Sequence, residues 1–156
     1  MPRISAGLLM YPVRNSHLQA FLAHPGGPFF VRKDDGFLTI PKGEPDSDED
    51  VLDAAKREFQ EETGIVPTGP FIPLTPVKQK GGKVAHVWAF EGDYEDGKSI
   101  VSNAFTLEWP PGSRLQLEFP EIDRAEFFDV TVAKRKVEAA QDALIDELAR
   151  AVARRA

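Results

Sequence analysis

The chain has 156 residues, of which 42% are hydrophobic and 28% are charged, with a formal net charge of −6, no cysteine and three histidines that show no ligand spacing. These values fit one globular domain, residues 1–156, and exclude disulfides, a thiolate nucleophile and a cysteine-based zinc site. The acidic balance argues against binding to nucleic acid, and no apolar run reaches the ~18 residues of a membrane span or forms a signal-peptide core, so we expect a cytoplasmic protein without membrane contact.

The first quarter of the chain is expected to form strands and turns. Residues 3–13 and 18–24 are predicted to be the two strands of a hairpin, joined by a turn at Asn15 and Ser16. The loop at 25–28 is rich in glycine and proline but opens no helix and lacks the residues of a P-loop, so we interpret it as a turn. A short strand at 37–40 then leads to Pro41-Lys42-Gly43.

Residues 44–62 concentrate the acidity of the chain, with nine acidic and two basic residues. We predict a helix here, capped by Asp46 or Ser47 and closed by Gly64. Its apolar stripe, which would pack on the core, consists of Leu52, Ala55 and Phe59.

Three glutamates of this helix, Glu58, Glu61 and Glu62, are spaced at i, i+3 and i+4, which places their side chains on one face. That face lies roughly 100° from the apolar stripe, so the carboxylates should border the core. Their mutual repulsion weakens the helix unless a hard cation is bound, and carboxylate oxygens suit Mg²⁺ or Mn²⁺. A solvated acidic surface is the alternative interpretation.

The remainder of the chain predicts more strands and a helical C-terminal segment. Four prolines make residues 66–76 a loop or an irregular edge segment, and strands are expected at 83–92, 103–109 and 124–130. From residue 131 the pattern is helical, with a break near 139–141. This order predicts an α/β protein with a mixed β-sheet flanked by helices.

The spacing G-x5-E-x7-R-E-F-x-E-E-x-G-I over residues 43–65 resembles the Nudix box in full. The resemblance implies the family's α/β/α sandwich, with the box as a loop, a helix and a loop. It also implies hydrolysis of a diphosphate linked to another moiety, usually a nucleoside, with Mg²⁺ or Mn²⁺ as cofactor and a small-molecule nucleotide or polyphosphate as the partner. A monomer or a homodimer is expected.

Each box residue takes a role from this resemblance. Glu58, Glu61 and Glu62 match the metal-binding glutamates, Arg57 matches the arginine that orients one of them, Gly43 matches the glycine whose backbone approaches the metal, and Glu49 matches a structural glutamate. Catalytic roles are thus expected for Arg57, Glu58 and Glu61.

Outside the box, the general base is the least determined residue. Many Nudix enzymes use a glutamate in the loop before an aromatic-rich strand, and Glu121 fits that place as a base or as an extra metal ligand. Glu118 is the rival candidate, and an ordinary surface carboxylate is the alternative for Glu121.

Substrate contacts are expected from Lys42, which would bind phosphate, and from Trp109, which would stack on a base. The alternatives are a solvated side chain for Lys42 and core packing for Trp109. Trp88 is a further candidate for stacking on a base, but core packing is favoured for it. The Pro41-Lys42-Gly43 approach is similar to that of Nudix proteins that cleave diadenosine polyphosphates or diphosphoinositol phosphates. We therefore favour diadenosine tetraphosphate. The alternatives are 8-oxo-dGTP or another nucleoside triphosphate, ADP-ribose, and a non-catalytic nucleotide-binding regulator.

Overall fold

In the part of the chain that the structure describes, the secondary structure consists of nine strands, one central helix and a helical C-terminal segment. The computed structural model describes residues 3–12, 17–79, 81–94 and 101–155. The strands are β1 (Ile4–Tyr11), β2 (Gln19–Pro25), β3 (Lys42–Gly43), β4 (Ile72–Pro73), β5 (Val77–Lys78), β6 (Val84–Glu91), β7 (Ala104–Glu108), β8 (Gln116–Pro120) and β9 (Ile122–Asp129). The helices are α1 (Val51–Thr63), α2 (Val130–Lys136) and α3 (Asp142–Arg155), with a 3₁₀ turn at Ala139–Gln141.

The central sheet is mixed, as predicted. Its order is β3-β1-β6-β4, and β5 also pairs with β6. β1 and β6 run parallel, whereas the other pairs of this sheet are antiparallel. Two further antiparallel pairs, β2 with β9 and β7 with β8, form separate ribbons. The expected α/β class with helices on both sides of a mixed sheet is therefore confirmed.

Two hydrophobic cores lie on opposite faces of this framework, and the side chains of β1 alternate between them. Leu8 and Met10 pack toward α1. Leu9 and Tyr11 pack toward α3. Phe59 anchors α1 in the first core and is fully buried, which contributes about 1.5–3 kcal/mol to stability. The sheet is thus covered on both faces, and α1 is fixed against it.

Helix α1 begins later than predicted. Its N-cap is Asp50, whose carboxylate accepts from the Asp53 N–H, and neither Asp46 nor Ser47 caps it. A separate turn precedes the helix, in which the Glu49 side chain accepts a hydrogen bond from the Asp46 N–H. The predicted end is confirmed, because Gly64 closes the helix at a φ of 77°.

The predicted pairing of the first two strands is wrong. β6 pairs along all of β1 and β3 covers part of the other edge, so β2 pairs with β9 instead. The predicted turn at Asn15 and Ser16 lies outside the described residues. Residues 37–40 make only two isolated bridges, at Leu38 and Thr39, and form no strand. β5 and β8 had not been predicted as strands.

The helical C-terminal segment follows the prediction, including its break. α2 ends at Lys136, the 3₁₀ turn covers the expected break, and α3 follows directly. Leu144, Ile145 and Leu148 bury one face of α3. No helix in the described part of the chain is both long enough and apolar enough to cross a membrane.

Candidate active site

Arg57 connects the carboxylates of the acidic helix. Its Nε and Nη2 atoms donate to the two carboxylate oxygens of Glu49, each at 2.9 Å. Its Nη1 atom donates to Glu58 Oε1 and to Glu61 Oε1, both at 3.0 Å. The expected orienting role therefore has a geometric basis for two of the three box glutamates, because one guanidinium holds both.

Glu49 is the anchor of this arrangement. The bidentate bond from Arg57, together with the hydrogen bond from the Asp46 backbone, lowers the pKa of Glu49 to about 2. The hydrogen bonds with Glu49 and Glu61 raise the pKa of Arg57, so the guanidinium stays charged. Glu49 is ionised across the physiological range, and it binds Nε and Nη2 of Arg57 while the other carboxylates bind Nη1.

Gly43 lies directly against Glu58. A Cβ atom at Gly43 would overlap the carboxyl group of Glu58, so only glycine leaves room for it. Burial raises the pKa of Glu58, and the charge of Arg57 opposes that shift. The strand that precedes the helix thus forms the floor beneath the Glu58 carboxylate.

Glu62 is the most buried of the box glutamates, with 7% of the residue exposed. The Lys42 backbone N–H donates a hydrogen bond to its carboxylate, and its Oε2 atom has no hydrogen-bond partner. Burial raises the pKa of Glu62 to about 8, with the charges of Glu58 and Glu121 adding to the shift. A buried carboxylate oxygen without a partner is costly and needs an explanation.

Glu121 is brought to the acidic helix by backbone hydrogen bonds. The Asn103 N–H donates to the Glu61 carbonyl at 2.9 Å, and the Glu121 N–H donates to the Asn103 carbonyl at 2.8 Å. Burial raises the pKa of Glu121, and the charge of Glu61 adds to that shift. Glu118, the rival candidate for the base, is exposed on β8 and pairs with Thr106.

The donor set fits a hard divalent cation. Ionised carboxylates are the ligands that Mg²⁺ and Mn²⁺ prefer, and a cation would supply the partner that Glu62 Oε2 lacks. Among the described residues, however, no three acidic or histidine side chains converge as a ready-made metal site. The reason is electrostatic, because like charges repel and Arg57 draws Glu58 and Glu61 toward itself.

Lys42, a residue of β3, lines a cavity of about 490 Å³. Its volume falls within the range of small-molecule sites. Lys83 and Gln79 contribute polar groups to the wall, and Phe30 and Phe37 contribute aromatic rings whose centroids are 6.5 Å apart. The cavity therefore combines two cationic side chains and an aromatic surface with one acidic residue, Glu138.

The other candidate contacts lie elsewhere. Trp109 packs edge-on against Phe29, with ring centroids 5.3 Å apart, and does not line the cavity. Trp88 is half-buried against the α1-side core, as expected. Lys78, an exposed lysine of β5, does not line the cavity either.

Sequence reasoning missed Phe30 and Phe37 as cavity residues and Asn103 as the link to Glu121. The two phenylalanines flank the loop that leads into Pro41-Lys42-Gly43, and this position was an available signal. No local signal pointed to Asn103, since its contribution is made by backbone groups.

Comparison with known proteins gives a consistent fold. The sequence profile described as the NUDIX domain matches residues 2–148. No curated protein matches the sequence. The NUDIX domain of Shewanella oneidensis NrtR, solved with ADP ribose, is 15% identical with a TM-score of 0.67, covering 97% of this chain and 89% of that one.

Two further solved structures are similar. A Caenorhabditis elegans Ap4A hydrolase is 19% identical with a TM-score of 0.64, covering 97% of this chain and 98% of that one. A mutT/nudix family protein from Listeria innocua is 14% identical with a TM-score of 0.66, covering 99% and 97% respectively. At these identities the likeness is one of fold.

Proposed function

Because the chain belongs to the NUDIX domain family, we propose that it is a divalent-metal-dependent hydrolase that cleaves a phosphoanhydride bond in a nucleoside diphosphate-linked substrate. The observation that carries this proposal is the buried Glu62 carboxylate, whose Oε2 atom lacks a partner while Glu58 lies nearby over Gly43. A bound cation would offset the repulsion between the carboxylates and would give the unpaired oxygen of Glu62 a partner.

The proposed metal ligands are the carboxylates of Glu58, Glu61 and Glu62, with the backbone at Gly43. When bound, Mg²⁺ or Mn²⁺ supplies charge neutralisation on the phosphate oxygens and lowers the pKa of a bound water. Arg57 keeps Glu58 and Glu61 oriented.

Glu121 is the proposed general base, which accepts the proton of the attacking water. Partial desolvation and the charge of Glu61 raise the pKa of its carboxyl, and this makes it a stronger base than an unperturbed glutamate. Glu118 instead lies within the β7–β8 ribbon, where it pairs with Thr106.

The proposed substrate is a dinucleoside polyphosphate such as diadenosine tetraphosphate. Lys42 and Lys83 line one cavity, and a chain of phosphates longer than a diphosphate needs this additional positive charge. Phe30 and Phe37 offer a surface on which a base can stack. The similar C. elegans protein is an Ap4A hydrolase, which agrees with this choice without deciding it.

The experiment compares kcat/KM for diadenosine tetraphosphate, ATP, 8-oxo-dGTP, ADP-ribose and a diphosphoinositol phosphate, each with Mg²⁺ and with Mg²⁺ plus excess chelator. We expect chelator-sensitive hydrolysis with diadenosine tetraphosphate as the best substrate. A mononucleotide that is preferred tenfold or more would refute the substrate assignment. Absence of hydrolysis with every substrate and metal would refute the enzymatic function.

A nucleotide-binding domain without hydrolysis is the second candidate. The observation that favours it is the engagement of Glu58 and Glu61 by Arg57, with no converged set of three ligands in the described part of the chain. Calorimetric titration with ADP-ribose and diadenosine tetraphosphate separates the two candidates, since this alternative predicts binding without turnover in Mg²⁺ or Mn²⁺.

A further inference from the structure

His24 is a buried histidine that the proposed reaction does not use. Only 2% of its side chain is exposed. Its Nδ1 atom lies 2.7 Å from Asp123 Oδ1, and its Nε2 atom lies 2.7 Å from the carbonyl oxygen of Lys33. Carboxylate and carbonyl oxygens both accept hydrogen bonds, so the imidazole ring lies between two acceptors that a ring N–H can bond.

The two partners of His24 belong to different parts of the site. Lys33 lies between Phe30 and Phe37, both of which line the cavity. The Lys33 N–H also donates to the Phe30 carbonyl at 3.0 Å. Fixing the Lys33 carbonyl therefore fixes the turn that presents the aromatic wall.

Asp123 lies two residues beyond Glu121. The register of β2 with β9 shifts here, because His24 pairs with Arg124 and Pro25 pairs with Ile122, which leaves Asp123 as the extra residue of a bulge. Just before the bulge, the Gly26 N–H donates to the Glu121 carbonyl at 2.8 Å. Bulges beside active sites commonly re-aim a neighbouring side chain.

We propose that His24 and Asp123 are positioning residues, which together fix the Glu121 segment relative to the aromatic wall of the cavity. This role rests on the proposed function, since it acts through the general base and through the substrate cavity. His24 is the only link in which one side chain bonds both segments among the hydrogen bonds of the described residues. The pair therefore sets the distance between the place where the base of the substrate is held and the place where water is activated.

The test uses Asp123→Ala, because Asp123 is partly exposed and its removal leaves no buried cavity. We expect kcat/KM for diadenosine tetraphosphate to fall by roughly 10- to 100-fold, with kcat lowered through Glu121 and KM raised through the cavity wall. Asp123→Asn retains an acceptor for His24 Nδ1 and should restore most of the activity. The matched control is Asp129→Ala, which removes another carboxylate of β9 that bonds a β2 side chain, that of Gln19.

A double-mutant cycle separates positioning from general destabilisation. In a Glu121→Gln background, Asp123→Ala should no longer lower kcat, because the group through which it acts is gone, while its effect on KM should persist. An equal loss of kcat in both backgrounds, or a lower Tm with unchanged kinetics, would overturn the proposal.

Amide hydrogen exchange provides a readout that does not depend on turnover. Asp123→Ala should accelerate exchange at the Gly26 N–H and at the Lys33 N–H, and Asp129→Ala should not. Equal exchange rates in the two variants would show that the contact between His24 and Asp123 does not fix the two segments. If the wild-type protein hydrolyses none of the substrates, both the proposed function and the positioning role are overturned. The exchange data then still show whether His24 and Asp123 hold the two segments together.

Discussion

Gly43 and Glu58 are in such close contact that a single methyl group on Gly43 would overlap the Glu58 carboxyl. The variant Gly43→Ala should therefore displace the carboxylate and lower kcat by about 10²-fold, since misplacing a catalytic group by about 1 Å has an effect of this size. Steady-state kinetics and Mg²⁺ titration would measure the loss. Wild-type kinetics and Mg²⁺ dependence in this variant would contradict the proposed position of Glu58 at the metal.

Glu61→Gln and Glu62→Gln should each lower kcat by at least about 10²-fold while the protein remains folded. Both changes keep the shape of the side chain and remove a charge that the proposed metal needs. Circular dichroism and kcat would be measured side by side. Glu126→Gln, an exposed change on β9, is the control, and near-wild-type turnover in both helix variants would exclude their proposed metal role.

Glu121→Gln should lower kcat by about 10²- to 10⁴-fold, which is the usual contribution of a general base. Glu118→Gln should leave kcat nearly unchanged, because Glu118 lies within the β7–β8 ribbon opposite Thr106, whereas Asn103 links the Glu121 segment to α1. The pH–rate profile supplies a second measurement, since the limb due to the base should disappear in Glu121→Gln alone. A larger loss in Glu118→Gln would reverse the assignment.

Stability without metal should decrease as the pH rises, because of Glu62. Its pKa is about 8 in the folded protein against an ordinary value of 4.5, so folding takes up a proton between these values. The free energy of unfolding therefore falls as pH increases from 4.5 to about 8. Urea denaturation in chelator would show a weaker pH dependence for Glu62→Gln than for wild type. Identical slopes would mean that Glu62 is ionised in the folded state.

Lys42→Ala should weaken turnover of diadenosine tetraphosphate more than turnover of ADP-ribose, since the shorter diphosphate carries less charge. The ratio of the two kcat/KM values is the quantity to measure, and it should fall by about tenfold if one charge-assisted contact is lost. Lys78→Ala is a suitable control because Lys78 is an exposed lysine that does not line the cavity. Equal losses for both substrates would assign Lys42 a role at the shared diphosphate.

Local features of the site could be predicted from the sequence, whereas its long-range contacts could not. The closure of α1 at Gly64 and the shared face of Glu58 and Glu62 follow from helical geometry over a few residues. The start of the helix at Asp50 could not be predicted from this local geometry. It depends on the side chain of Glu49, which accepts hydrogen bonds from Arg57 and from the Asp46 N–H in the preceding turn.

The strand order and the cavity depend on segments far apart in the chain. β1 has its edges occupied by β3 and β6, and this directs β2 to β9, a choice that no local pattern encodes. Phe30 and Phe37 line one cavity with the 3₁₀ turn only in the folded protein. The raised pKa of Glu121 likewise depends on tertiary contacts through Asn103.

The parallel pairing of β1 with β6 also determines how the chain must fold. Ile4 pairs with Val84 and Tyr11 pairs with Glu91, so the two longest strands of the sheet come from distant parts of the sequence. Closing so large a loop is entropically costly before its contacts form, which makes folding slow relative to helical proteins of similar size. During synthesis, β1 is made long before β6, so the apolar residues that β6 covers stay exposed until β6 has been made. The acidic helix between the two strands is likewise synthesised before the sheet against which it packs can form.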